Sequence, residues 1–190
     1  MSVFRARRKG RVAVELPPYA AGLLASLVRQ LVELLSDGEA AATATDDPLE
    51  ALLDFDTPRE PPEDPALRRL LPDAHPGDPE VAAEFRRFTE RGLRESKVAS
   101  ALVVLKTMGL SEDDPDDADL EFELEEDQVR AWMRCLTDLR LTLAERLGVT
   151  ADDDEFWANL PAGDDRLPIY EIYGWLAYLL ESLIDAGKLA

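Results

Sequence analysis

Apolar and polar positions along this chain follow two periods. Phe4, Ala6, Val12, Val14 and Leu16 alternate with polar neighbours at the period of two that marks half-buried strands. A two-residue turn at Lys9-Gly10 would set Val14 opposite Arg5 and Val12 opposite Arg7, mixing charge into the apolar face. A three-residue loop, Arg8-Lys9-Gly10, instead pairs Phe4 with Val14 and Ala6 with Val12, and predicts Gly10 in a left-handed conformation. A lone hairpin is marginal, so a third strand is expected. Asp119-Leu-Glu-Phe-Glu-Leu-Glu125 supplies one, with Leu120, Phe122 and Leu124 on one face and Glu121, Glu123 and Glu125 on the other. Joined to the hairpin, it would lay glutamates across from arginines.

The remaining periodicity is helical. Pro17-Pro18 ends the hairpin, and Leu24, Leu27, Val28, Leu31, Leu34 and Leu35 follow helical spacing up to Asp37-Gly38. A second pattern runs from Pro79 to Met108 with Val81, Phe85, Phe88, Leu102 and Leu105 among its apolar positions, Gly92 as a weak point and Gly109 as its end. A third, from about Glu126 to Leu147, carries Val129, Trp132, Met133, Leu136, Leu139 and Leu143 on one stripe and stops at Gly148. Asp152 to Glu155 place acidic charge at the start of a short helix bearing Phe156, Trp157 and Leu160. The last helix starts at Pro168, carries Ile169, Ile172, Tyr173, Leu176, Leu179, Leu180, Leu183 and Ile184, and is capped at Gly187.

The expected fold is therefore α+β, mainly α: a bundle of about four main helices with a small three-stranded antiparallel sheet, built from the N-terminal hairpin and a strand near 119–125. Residues 1–190 are expected to form one domain, with a proline- and acid-rich loop or semi-mobile segment at 37–78. Eight of the thirteen prolines fall between Asp37 and Pro79. Within it, Asp47-Pro48 to Phe55 has the marks of one or two helical turns docked on the body, or of a partner-docking motif.

Charge changes the functional picture more than the structural one. Forty acidic residues against twenty-one basic ones give a net charge of −19, which repels phosphate backbones and anionic membranes. Five of those basic residues lie between Arg5 and Arg11. There is no run of eighteen apolar residues and no apolar signal core, so a cytoplasmic protein without a membrane is expected. The single Cys135 cannot form an internal disulfide and fits a reducing compartment.

Most catalytic chemistry lacks its residues. His75 is the only histidine and has no companion at metal-ligand spacing; Cys135 falls among core positions of a helix; no glycine-rich phosphate loop or dinucleotide fingerprint occurs. No metal, cofactor or small-molecule ligand is expected. The acidic clusters Glu112–Asp117 and Asp152–Glu155 lack the glycine and terminal glutamate of a calcium loop. Leu143-Ala-Glu-Arg-Leu-Gly-Val-Thr150 resembles the start of a helix-turn-helix, but the following Ala151-Asp-Asp-Asp-Glu155 would bring four carboxylates to an anionic groove.

Two surfaces are candidates for recognition. Tyr170, Trp175 and Tyr178 form an aromatic face of the last helix around Gly174, which would allow a close helix approach, either inside the fold or with a partner chain. Arg68, Arg69, Arg86 and Arg87 are adjacent basic pairs in an acidic protein, and Asp138 lies between Arg134 and Arg140 on an otherwise apolar helix. Ion pairs tying loop to helices would explain them; a pocket for a carboxylate or acidic peptide is the sharper alternative.

Phe4-Arg-Ala, Asp64-Pro-Ala-Leu-Arg-Arg-Leu-Leu-Pro-Asp73, Ala83-Glu-Phe-Arg-Arg-Phe-Thr89, Leu136-Thr-Asp-Leu-Arg140 and Tyr173-Gly-Trp-Leu-Ala-Tyr178 together resemble the actinobacterial family called domain of unknown function 2017. The resemblance spans nearly the whole chain. It implies no catalytic residues; members are often encoded near the adaptor of the Clp protease, and some carry a regulator label. The function expected is thus a non-enzymatic adaptor or regulator working through a protein partner or self-association, linked to Clp-type proteolysis. The alternatives are a DNA-binding regulator using the basic hairpin and a hydrolase built on paired carboxylates.

Overall fold

The computed structural model describes residues 3–40, 60–74, 77–110, 119–150, 157, 159–161 and 163–189, with the side chains of 37–40 excepted. Three strands, β1 (Phe4–Ala6), β2 (Val12–Leu16) and β3 (Leu120–Leu124), form an antiparallel sheet in the order β1-β2-β3. The helices are α1 (Pro18–Ala40), α2 (Pro65–Leu70), α3 (Pro79–Met108), α4 (Glu126–Leu147) and α5 (Leu167–Leu189). The expectation of a mainly helical α+β fold is met. The segments at 47–55, 112–117 and 152–156, and His75, lie outside the described residues.

The hairpin adopts the predicted register, with Phe4 opposite Val14 and Ala6 opposite Val12. Arg8–Gly10 form a single 3-10 turn closed by Arg7 N–H donating to the Arg11 carbonyl at 2.8 Å. Gly10 is left-handed as expected, and Lys9 joins it at φ 66°. β3 pairs with β2, setting Val12 opposite Leu124 and Val14 opposite Phe122. The glutamates do not face arginines directly, because β3 lies beside β2 rather than β1: Glu123 faces Ala13, and Glu121 faces Glu15. The charge is matched diagonally instead. Arg11 reaches Glu123 at 2.7 Å, Arg7 reaches it at 3.8 Å, and Arg5 bonds Glu15 at 2.6 Å within the hairpin.

The inner face of the sheet, formed by Phe4, Val12, Val14, Leu16 and Leu124, packs on the helices. Trp132 of α4 is the joint: its ring lies 6.0 Å from Phe4 and 5.7 Å from Phe122, and its indole N–H donates to Thr107 Oγ1 of α3 at 2.9 Å. Around α4 pack α2, α3 and α5, with α1 against α3. Pro18–Ser36 has the length and hydropathy of a membrane-crossing helix, yet Leu24, Val28, Leu31 and Leu35 lie in this core.

Local signals explain the helix ends. Asp64 and Asp78 precede N-terminal prolines, and their carboxylates accept the first free N–H groups, from Ala66 and Leu67 in α2 and from Glu80 and Val81 in α3. Glu125 and Gln128 form a reciprocal capping box on α4. Gly109 and Gly148 close α3 and α4 in left-handed conformations. Two predicted ends move: α1 continues through Gly38 to Ala40, and α5 runs past Gly187 to Leu189. The region 37–78 is thus not loop throughout, since it holds the end of α1 and all of α2. Gly92 does not break α3.

The largest departure is the phase of α3. Val81, Phe85, Phe88 and Leu102, among the apolar positions that mark this helix in the sequence, are exposed, Phe88 at 62%. Buried in their place are Arg86, Glu90 at 5% and Arg94 at 3%. The reason is that Ala101, Val104 and Met108 fix which face looks inward, and extending that face backward by helical steps reaches Lys97, Arg94, Glu90 and Arg86. Those charges find partners inside. Arg94 donates to Glu90 Oε1 and to the Leu35 carbonyl of α1, each at 2.9 Å, and Arg86 pairs with Asp73.

Candidate functional site

α3 and α4 leave an open groove between them, about 410 Å³ in volume, lined by Leu93, Ser96, Lys97 and Ser100 from α3 and by Met133, Arg134, Thr137, Asp138 and Leu141 from α4. The spacing along each helix, at steps of one, three and four residues, puts these side chains on facing stripes. On its floor Lys97 Nζ donates to Asp138 Oδ1 at 2.6 Å; Asp138 is 4% exposed as a residue. Burial raises the Asp138 carboxyl above its ordinary range, and the Lys97 hydrogen bond and charge oppose that rise. Arg134 stands exposed on the rim one turn before Asp138 and forms no ion pair among the described residues. Ser100 and Thr137 donate their hydroxyls to the backbone carbonyls of Ser96 and Met133, which leaves their oxygens as acceptors.

Cys135, three residues before Asp138 on α4, is buried, and its thiol is pushed up to about 12 by burial and then by the Asp138 charge. It is a core side chain, unsuited to nucleophilic work. No group of three or more metal-ligating side chains occurs among the described residues.

The aromatic candidates do not form one patch. Tyr170 stacks on Trp157 at 5.1 Å with the rings 17° apart, and the Arg166 guanidinium lies over the Trp157 ring, 5.6 Å from its centroid. Trp175 is half-buried against the core, and Tyr178 is 46% exposed. α5 is therefore buried along Leu176, Leu179, Leu183 and Ala186 and open on its other side. Among the described residues the expected close approach at Gly174 is absent: a Cβ there would meet nothing within 4 Å, whereas one at Gly187 would come within 3.3 Å of Met133 Cε. The glycine that lies close against α4 is Gly187.

The four arginines are also divided. Arg68 and Arg69 are exposed on α2; Arg86 is buried and tied to Asp73; Arg87 lies over the Phe88 ring at 4.5 Å. Arg140 is drawn away from Asp138, with its guanidinium 5.1 Å from the Tyr173 ring and its Nη2 donating to the Tyr173 hydroxyl at 3.4 Å. Lys97, which no sequence expectation named, is the residue that meets Asp138. Its signal was its place in phase with Ala101, Val104 and Met108.

These features define a small acidic α+β protein whose chemistry-bearing side chains are mostly paired with one another, and whose open features are helix surfaces and a groove. The chain belongs to the domain of unknown function 2017 family, whose model matches residues 1–187. A Mycobacterium leprae protein that carries the AosR name is 30% identical over 183 residues, covering 89% of this chain and 79% of the relative. The proteins named oxidative stress regulator AosR in Mycobacterium tuberculosis and Mycobacterium bovis are 29% identical over 188 residues, covering 92% of this chain and 81% of each relative. No solved structure matches this chain.

Proposed function

We infer that this protein is a non-enzymatic regulator that acts through contacts with another protein. The observation that carries the reading is the open α3–α4 groove, with apolar walls and a rim arginine not spent on any described acid. The name of the mycobacterial relatives, oxidative stress regulator, supports a regulatory role over most of the chain's length. The exposed Tyr178 face of α5 is a second contact surface in this reading. The alternative of a DNA-binding arm is weakened by geometry, since Arg5, Arg7 and Arg11 are engaged by Glu15 and Glu123. A role as an adaptor near Clp-type proteolysis is the finer form of the proposal and rests on the family resemblance.

The test is native affinity purification with the full chain, followed by reconstitution from purified components. A saturable complex with a recovered protein is expected, and Clp components among the partners would support the finer form. Failure to reconstitute any complex, together with a monomer at all concentrations in sedimentation, would overturn the reading.

A further inference from the structure

The α3–α4 groove has a more specific chemistry than a generic apolar slot. Leu93, Met133 and Leu141 offer apolar wall, Lys97 pairs with the one buried carboxylate, Asp138, and Arg134 adds a rim cation that forms no ion pair among the described residues. Lys97 has three N–H donors and gives one to Asp138. A helical bundle gains little stability from such a pair, because well-packed apolar residues of similar size serve as well or better. Its position at the floor of an open groove suits recognition. The surrounding protein carries a net charge of −19, so its long-range field attracts basic partners and repels acidic ones. The two requirements fit only one type of occupant.

Resting on the reading of the protein as a contact-based regulator, we propose that the α3–α4 groove receives an amphipathic helix of a partner protein that is basic overall and carries a single carboxylate anchor, which Arg134 and Lys97 bind. Apolar side chains flanking the anchor lie against Leu93, Met133 and Leu141, the helix-in-groove mode of recognition. Ser100 and Thr137, as acceptors, face donors on the incoming helix.

The probes are two fluorescein-labelled amphipathic leucine–lysine helical peptides, identical except for a central glutamate in one and a glutamine in the other. Binding to the full chain is followed by anisotropy at about 0.15 M salt, where long-range attraction is largely screened. The glutamate peptide binds roughly tenfold or more tightly than its twin, as a charge-assisted hydrogen bond in a desolvated site requires. Arg134→Gln, a change at an exposed residue that leaves the fold intact by circular dichroism, abolishes the difference, and Thr137→Arg blocks both peptides. Equal affinities, a preference that survives Arg134→Gln, or no saturable binding overturns the proposal. A recovered partner that binds Arg134→Gln and Thr137→Arg as well as it binds the native chain would leave the contact-based function standing and remove the groove from it.

Discussion

Lys97 Nζ lies 2.6 Å from Asp138 Oδ1, joining the middle of α3 to the middle of α4 through a largely buried ion pair. Because burial raises the Asp138 carboxyl, the folded chain holds that proton to higher pH than the unfolded chain does. The stability this group contributes is therefore full in acid and declines as pH rises through its folded pKa.

Lys97→Met removes both influences that hold the Asp138 carboxyl down. The variant loses about 3 kcal/mol relative to the native chain near neutral pH, because Asp138 is left buried without its partner. Most of that difference disappears below about pH 4, where the group is neutral in both states. Urea unfolding of both proteins at the two pH values measures this; a pH-independent difference would show that the pair contributes only packing.

The inverted phase of α3 predicts opposite outcomes for neighbours in sequence. Glu90→Ala leaves the Arg94 guanidinium buried with the Leu35 carbonyl as its remaining partner among the described residues, and costs about 3 kcal/mol. Phe88→Ser, on the exposed side under the Arg87 guanidinium, costs no more than about 1 kcal/mol. Thermal unfolding of the two variants ranks them; the reverse order would mean that Phe88 is the buried residue.

That inversion marks where the fold stops being legible in the sequence. The hairpin register follows from pattern alone, because one slip would put Arg5 and Arg7 on the face that holds Val12 and Val14. The limits of α3 and α4 follow from Asp78-Pro79, Gly109, Glu125 with Gln128, and Gly148, each a local signal acting over a few residues. The buried face of α3 depends instead on Asp73, Leu35 and Asp138, which are distant in sequence, so residue type pointed to phenylalanine where helical phase pointed to arginine and glutamate. The groove was half visible. Asp138 and Arg134 stood out on α4, while Lys97 was hidden among the ordinary charges of α3.

Trp132 is both the aromatic centre of the core and a donor to Thr107. Thr107→Val keeps the shape of the side chain and removes the acceptor, leaving the indole N–H buried without its bond. The expected cost is about 1–3 kcal/mol, with a change in tryptophan emission that reports the altered contact. Chemical denaturation followed by fluorescence gives both, and an unchanged midpoint would show that the bond contributes nothing net.

Cys135 is sealed in the core with its thiol pushed up to about 12, so almost none of it is thiolate near neutral pH. Iodoacetamide and peroxide therefore modify it no faster than the chain unfolds, and labelling accelerates in step with added urea. Mass spectrometry of timed samples tests this. Rapid modification of the native protein would place the thiol at the surface rather than in the core.

Glu123 on β3 serves both Arg7 and Arg11 of the hairpin through half-exposed contacts. Exposed ion pairs of this kind contribute less than about 1 kcal/mol each, so Glu123→Gln leaves the melting temperature almost unchanged. Its electrostatic effect is larger, because it releases two cations beside the exposed Arg8 and Lys9 of an acidic protein. Retention on heparin at low salt should rise in the variant and fall again as salt screens the exposed charge. If the native chain and the variant elute together, Glu123 does not mask the hairpin, and the basic ribbon must be regarded as open to anionic partners in the native protein.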